Sequence, residues 1–148
     1  GFNIVYLSVI ILLLISIVSP VFTMPVSIYA LDDRLLLKKL LGSKTIFYSD
    51  IIVAERFFPK SDIRIFGSGG YWGFFGIFSN PRIGRYTAFV GDYKEAVLIQ
   101  VAIAGGYKSY VVSCRNYDEF IMLVNNNRDI RTILSATTAT ANNYQNEN

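Results

Sequence analysis

The first 31 residues contain no charged side chain, whereas all 14 basic and 11 acidic residues lie from Asp32 onward. The stretch from Phe2 to Phe22 is almost entirely apolar. A helix of this length, rising about 1.5 Å per residue, would cross a hydrocarbon core of roughly 30 Å. We therefore predict a transmembrane helix in residues 1–23. Two alternatives stay open, a cleaved signal peptide and a buried core helix. Against the signal peptide, no basic leading segment is visible, and against the core helix, the segment lacks the polar stripe that such a helix normally carries.

Beyond this segment, short apolar runs alternate with turn signals, which is typical of an antiparallel all-β domain. Gly105-Gly106 is the strongest hairpin signal. We count seven strands, most joined by hairpins, in a curved antiparallel sheet or partly open barrel. Residues 34–41, "RLLLKKLL", have helical propensity but are short for a helix, and residues 44–58 read as one β-rich run.

One helix is predicted after the strands. Asn116 as N-cap and Glu119 three residues later form a capping-box pattern, followed by Phe120, Leu123 and Val124 at helical spacing. This helix would cover an open end of the sheet. The predicted organisation is a transmembrane helix (1–23), a β domain with its C-terminal helix (24–126) and a polar, disordered tail (127–148).

The residue types argue against several classes of function. The chain has no histidine, the commonest general base, and a single cysteine, Cys114, which rules out an internal disulfide. A net charge of +3 is too mild to indicate nucleic acid. Paired carboxylates at Asp32-Asp33 and Asp118-Glu119 suit a turn and a helix N-terminus. We therefore expect no enzyme, no catalytic, cofactor or metal site, and no nucleic-acid partner.

The segment "GSGGYWGFFG", Gly67 to Gly76, admits two interpretations. Its glycine spacing is similar to a phosphate-binding loop, but such a loop must open a helix, and the aromatic residues that follow favour a strand. The alternative is a sharply curved strand, in which glycines make room for bulky rings. We favour the strand.

Five basic residues lie in or near turns of neighbouring hairpins and would contact anionic lipid headgroups if a tethered domain lay on a membrane. The alternative is that they are ordinary solvated surface charges. They are Lys38, Lys39, Lys44, Arg82 and Arg85.

Residues 26–125 resemble the bacterial PH-like (pleckstrin-homology-like) domains of small membrane proteins. The motifs are weak singly and specific as a set, and one or two transmembrane helices typically precede such domains. Where the family's closing strand often ends in Ser-Pro, this chain has Ser113-Cys114. The matching segments are Arg64 to Gly69, Gly76 to Phe78, Gly84 to Phe89, Val97 to Ile99, "YVVS", and Asp118 to Phe120.

The resemblance implies a fold and a location more than an activity, because the family shares no catalytic or ligand residues. We predict a membrane-anchored, non-enzymatic module for protein–protein contacts, including self-association, or for membrane-surface contacts. The alternative is a lipid or small-ligand carrier, with Trp72 and neighbouring phenylalanines lining the barrel mouth. The expected location is the cell membrane, single-pass, with the domain in the cytoplasm because its cysteine is unpaired. Whether another helix precedes Gly1 stays open.

Overall fold

The computed structural model describes residues 2–23, 25–39, 42–70 and 73–146, with side chains except those of residues 2, 19–23, 25, 26 and 138–146. The apolar N-terminal segment forms a first helix, α1, Phe2–Thr23. Its described side chains, at residues 3–18, are all exposed. Within the described part of the chain, no helix combines the length and the apolar character needed to span a membrane.

Nine strands are described, and they form two sheets. The first sheet has the order β1-β2-β3, and the second has the order β4-β8-β9-β7-β6-β5. Two short 3₁₀ turns, Tyr48–Asp50 and Tyr93–Glu95, precede β4 and β8. The strands are β1 Pro25–Ala30, β2 Arg34–Lys39, β3 Ser43–Phe47, β4 Ile51–Arg56, β5 Ile63–Gly70, β6 Gly73–Asn80, β7 Gly84–Val90, β8 Ala96–Ile103 and β9 Gly106–Ser113.

The strand count differs from the predicted seven at two places. Residues 34–39 form β2, because buried Leu35 and Leu37 alternate with partly exposed neighbours at the period of a strand. The β-rich run of residues 44–58 is not one strand. The turn Tyr48–Asp50 divides it, so that β3 belongs to the first sheet and β4 to the second.

The second sheet is curved and open, and its strands are not all antiparallel. β7 and β9 run parallel, from the pair Tyr86 and Ser109 to the pair Phe89 and Val112. The prediction of an antiparallel sheet is therefore wrong at the pair of β7 and β9. The turn Tyr93–Glu95 takes the chain away from β7, and the β8–β9 hairpin then returns β9 beside it. No pairing between β4 and β5 is described, so these two strands are the edges.

The curvature centres on the glycine-rich segment. Gly67 in β5 lies opposite Gly76 in β6, and both have positive φ, +124° and +129°. A Cβ atom on Gly67 would lie 2.1 Å from the carbonyl oxygen of Phe75, closer than real Cβ contacts allow. The described part of the segment opens no helix, which argues against a phosphate-binding loop. The prediction of one curved strand is also wrong, because the segment is divided between the antiparallel strands β5 and β6, and Gly70 pairs with Gly73.

Both faces of the second sheet carry buried side chains, although β5 itself is largely exposed. The first face packs against the first sheet and against Phe120 and Val124 of the C-terminal helix. The second face lies against a different cluster, which includes Phe57, Phe78 and Tyr86. Phe57 starts the β4–β5 loop, residues 57–62, so this loop crosses the second face on its way between the two edge strands.

The C-terminal helix, α2, is longer than predicted and spans Tyr117–Asn146. Its start is the predicted one: the Asn116 carbonyl accepts a hydrogen bond from the Phe120 amide, and the Asn116 side chain donates to Glu119. The segment expected to be a disordered tail is helical through residue 146. An established helix extends at little cost per residue, and alanines among these residues favour that extension.

Candidate functional site

One edge of the second sheet, β4, is closed by α2. The side-chain amide of Asn125 donates to the carbonyl of Ala54 at 3.4 Å, and the guanidinium of Arg128 donates to the carbonyl of Ile52 at 3.0 Å. Two backbone acceptors of this edge strand are therefore bonded by side chains of α2.

The other edge, β5, is open. β5 pairs with β6 on one side, and no hydrogen bond among the described residues reaches the backbone on its other side. Three apolar side chains are exposed here: Ile63 (69%), Ile65 (46%) and Phe66 (75%). Ile65 lies at a bulge between the paired residues Arg64 and Phe66. An eight-residue edge strand with three exposed apolar side chains and no described backbone partner on its outer side is a template for another strand.

A polar cluster fixes the start of β5. The Asp62 carboxylate accepts hydrogen bonds from the side-chain amide of Asn80 and from the hydroxyl of Tyr86. Asn80 also donates to the carbonyl of Lys60 at 3.2 Å, and the Tyr93 hydroxyl lies 3.1 Å from that of Tyr86. Because Asp62 directly precedes β5, these contacts hold the β4–β5 loop and the first residues of the open edge in place.

The two tyrosines of this cluster are held in their neutral form. Burial raises the pKa of Tyr86 far above its ordinary value, and the hydrogen bond to Asp62 raises it further. The pKa of Tyr93 is also raised, chiefly by burial. Both hydroxyls therefore act as hydrogen-bonding groups and carry no charge at neutral pH.

A cavity of about 390 Å³ lies beside the open edge. Its walls come from the β4–β5 loop, from β5 and β6 and from the turn before β8. Three of its residues are aromatic: Phe74, Phe78 and Tyr93. The others are Pro59, Ser61, Asp62, Arg64 and Gly69.

A second cavity, of about 420 Å³, lies on the other side of the same loop and shares Ser61 with the first. Two of its three basic residues, Arg56 and Arg82 but not Lys60, have described side-chain partners. The Arg56 guanidinium lies 4.8 Å from the Phe58 ring and 4.2 Å from the Tyr117 ring, and Arg82 forms an ion pair with Glu55 at 3.1 Å. Among the described residues, no group of histidine, cysteine and carboxylate side chains could hold a metal ion.

Comparison with known proteins decides the family. The family model described as "Bacterial PH domain" matches residues 26–127. The chain belongs to this family. No curated protein and no solved structure gives a significant match. The match covers both sheets and the start of α2, so the open edge and the two cavities all lie within the PH domain.

The five basic residues singled out from the sequence fall into two groups in the PH domain. Lys38 and Lys39 end β2 and Lys44 lies at the start of β3, so these three share the end of one hairpin. The Lys39 ammonium lies 5.0 Å from the Phe89 ring, and the Lys44 ammonium lies 5.9 Å from the Tyr110 ring.

The second group lies on the other sheet: Arg82 in the β6–β7 turn, and Arg85 at the start of β7, exposed. Four residues separate Arg85 from Phe89 along β7, which is about 13 Å of strand. The structure therefore does not bring all five basic residues into one patch.

Sequence reasoning missed the features that define the edge of this PH domain. Asn80 and Asp62 read as turn residues, and their contact depends on the distant β4–β5 loop crossing the sheet. In the sequence, Arg64 is only the first residue of a strand motif. Of the rings predicted to line a pocket, Phe74 and Phe78 do line the first cavity, and Trp72 lies outside the described residues.

Proposed function

We propose that this PH domain is a non-enzymatic interaction module that binds an extended segment of a protein partner along β5. The observation that carries the proposal is the open edge itself. Its outer backbone groups have no described partner, and Ile63, Ile65 and Phe66 are exposed along it. A strand added here would gain main-chain hydrogen bonds, and its apolar side chains would cover these three residues.

The contrast with β4 supports this choice of surface. Exposed apolar edge strands promote aggregation, and proteins usually cover or charge them. In this domain α2 covers β4 with side-chain hydrogen bonds, while β5 keeps its apolar residues exposed. A free edge of this kind is explained if a partner occupies it.

The alternative, a lipid or small-ligand carrier, has less support. A carrier needs an interior cavity, whereas buried side chains occupy both faces of the second sheet. The two described cavities instead border the β4–β5 loop, where exposed residues such as Pro59 and Ser61 form part of the wall.

The proposal is tested by peptide binding to the full chain in detergent. The probes are acetylated, amidated nine-residue peptides of alternating valine and threonine, and fluorescence anisotropy measures their affinity. We expect Phe66→Ser to weaken binding about tenfold, because an aromatic anchor is lost. Ile52→Ser, an exposed residue on the closed edge, is the matched control and should leave affinity unchanged.

Two results would overturn the proposal. One is that no peptide binds, or that both variants weaken binding equally. The other is that the chain itself dimerises through β5, seen as a dimer of the wild type that Phe66→Ser converts to a monomer in light scattering. In that case a second copy, and not a partner's segment, occupies the edge.

We further propose that residues 1–23 anchor the domain at a membrane. The segment has no charged residue, α1 is 22 residues long, and all its described side chains are exposed and mostly apolar. Such an apolar surface needs a cover, and lipid would supply one. Carbonate extraction of cell membranes tests this: the full chain should stay in the pellet, and release into the supernatant would contradict it.

We also propose that the domain lies on the cytoplasmic side, as its unpaired Cys114 favours. Lys38, Lys39 and Lys44, at the end of one hairpin, would then contact anionic headgroups. Arg82 and Arg85 would contact headgroups at a second place, on the other sheet. Flotation of the full chain with vesicles, with and without phosphatidylserine, tests the lipid contact. We expect the wild type to bind vesicles more strongly when they contain phosphatidylserine, and substitution of the three lysines by glutamine should remove this difference. Equal binding of the wild type to both kinds of vesicle would refute the lipid contact.

A further inference from the structure

The cavity beside β5 combines the Arg64 guanidinium, which forms no ion pair with any described residue, with aromatic walls. The Arg64 Nη1 atom lies 3.6 Å from the position that a Cβ atom of Gly69 would take. The Phe74 ring lies 3.2 Å from the same position, so the guanidinium and the ring meet over this glycine. Because Gly69 has no side chain, both groups can pack over its backbone, and Phe78 and Tyr93 extend the aromatic wall of the cavity.

Arg64 has no acidic partner among the described residues. The ion pairs described are Arg34 with Asp33, Arg82 with Glu55 and Arg128 with Asp129. The nearest acidic residue in sequence, Asp62, also lines the cavity, but its carboxylate oxygens already accept hydrogen bonds from Asn80 and Tyr86. The guanidinium therefore retains its capacity to bind a carboxylate from outside the chain.

We propose that the segment bound along β5 carries an acidic side chain that pairs with Arg64 and, two residues away, an aromatic side chain that enters the cavity. This inference rests on the proposed strand addition and names the partner's chemistry. In an extended strand, residues i and i+2 project from the same face, so the two side chains reach the same side of β5. The carboxylate meets the guanidinium, and the ring meets Phe74, Phe78 and Tyr93.

The segment is internal to the partner and does not end at the cavity. Cavity residues come from both ends of β5, since Arg64 is near its start and Gly69 near its end. A strand that pairs along β5 therefore passes the whole length of the cavity. We place the carboxylate that Arg64 binds on a side chain of this passing strand, and the peptide with a free C-terminus tests the chain terminus instead.

The test compares three nine-residue peptides of alternating valine and threonine, each with a phenylalanine two residues from a central position. The first has glutamate at the centre, and the second has glutamine there, both acetylated and amidated. The third has glutamine and a free C-terminal carboxylate. Binding to the full chain in detergent is measured for the wild type, Arg64→Gln and Arg85→Gln. Arg85 is an exposed, charge-matched control that borders neither cavity.

We expect the glutamate peptide to bind about fivefold tighter than the glutamine peptide, the upper end for an exposed ion pair. Arg64→Gln should abolish this difference and leave the affinity of the glutamine peptide unchanged, which also shows that the variant is folded. Arg85→Gln should preserve the difference.

Three results would overturn the inference. Equal binding of the glutamate and glutamine peptides along β5 would leave strand addition standing and remove the acidic partner. A preference for glutamate that survives Arg64→Gln would place the contact elsewhere. Tightest binding by the peptide with a free C-terminus would show that the domain binds a chain end. Failure of all three peptides to bind would instead refute strand addition itself.

Discussion

The two edge strands of the second sheet, β4 and β5, differ in whether another part of the chain covers them. β4 lies under α2, and Asn125 and Arg128 donate to two of its carbonyls. β5 has the same need for partners, yet no described residue bonds to the backbone on its outer side, and Ile63, Ile65 and Phe66 are exposed along it. The difference shows that this fold can close an edge with its own helix. We infer that β5 stays open because it serves a partner.

The largest effect is expected from breaking the geometry of β5 itself. In Gly67→Ala the new Cβ atom would meet the Phe75 carbonyl at 2.1 Å, at a φ of +124°. We expect a loss of more than about 3 kcal/mol in the free energy of unfolding, since strain and overpacking act together. Urea denaturation followed by circular dichroism measures it.

Gly105→Ala is the matched control for this variant. Gly105 also has a positive φ, +86°, but nothing lies within 4 Å of its Cβ position. Only the backbone strain remains, and we expect a loss of about 1–2 kcal/mol. Equal losses in the two variants would show that the close approach of β5 to β6 is not what constrains Gly67.

The next effect concerns the polar cluster that fixes the start of the open edge. Tyr86→Phe removes the hydroxyl that donates to Asp62 and contacts Tyr93, which we expect to cost about 1.5–3 kcal/mol. Tyr48→Phe is the control, because the buried Tyr48 hydroxyl has no described partner. That variant should be as stable as the wild type or more so. Thermal unfolding measures both, and equal destabilisation would contradict the role of the cluster.

The same tyrosine predicts a pH dependence. The folded-state pKa of Tyr86 is raised, chiefly by burial, above the ordinary value of 10. Above pH 10 an unfolded Tyr86 ionises while the folded one stays neutral, so this contribution is complete below about pH 10 and is lost as the pH rises. Stability should therefore fall less steeply above pH 10 in Tyr86→Phe than in the wild type. Identical slopes in urea denaturation at pH 9, 10 and 11 would contradict this.

A smaller effect is expected from opening the closed edge. Arg128→Ala leaves the Ile52 carbonyl without its donor, and we expect a loss of about 1–1.5 kcal/mol. The variant should also bind the valine–threonine peptides at a second site, because β4 then has a free acceptor. Arg131→Ala is a control, since Arg131 donates to the Asp32 carbonyl and not to β4. Unchanged stoichiometry in a titration would show that α2 covers β4 without this hydrogen bond.

The smallest effect on stability is expected at the exposed residues of the open edge. Phe66→Ser should change the free energy of unfolding by less than about 0.5 kcal/mol, because its side chain is already in water. The variant should also reduce the tendency of the chain to aggregate on heating. A loss above about 1 kcal/mol would mean that Phe66 packs within the domain, which would remove it from the proposed binding surface.

The family and the strand-rich fold could be predicted from sequence because local patterns carry them: turn signals, the β-forming glycine-rich segment and the capping-box pattern at Asn116. That this segment is divided between β5 and β6 could not be predicted. The division of residues 44–58 at Tyr48–Asp50 and the parallel pairing of β7 with β9 could not be predicted. Both depend on which strands, distant in sequence, pair and pack together in the folded chain. The helical residues after Asn126 were also missed, because a polar composition is compatible with both tail and helix.

The candidate site was less predictable than the fold for the same reason. Exposure of Phe66 and the isolation of Arg64 follow from sheet order, which places β5 at an edge. In the sequence, both residues look like parts of an ordinary strand. Only the loop that carries Asp62 across the sheet to Asn80 and Tyr86 brings the cavity residues together.

Amide hydrogen exchange on the full chain tests the central claim most directly. It is measured by NMR in detergent with and without the valine–threonine peptides. We predict that the β5 amides that do not bond to β6 exchange rapidly in the free chain and become at least tenfold slower when peptide is bound. The β4 amides should not change. Slow exchange throughout β5 in the free chain, or slowing at β4 and not at β5 on binding, would contradict the account.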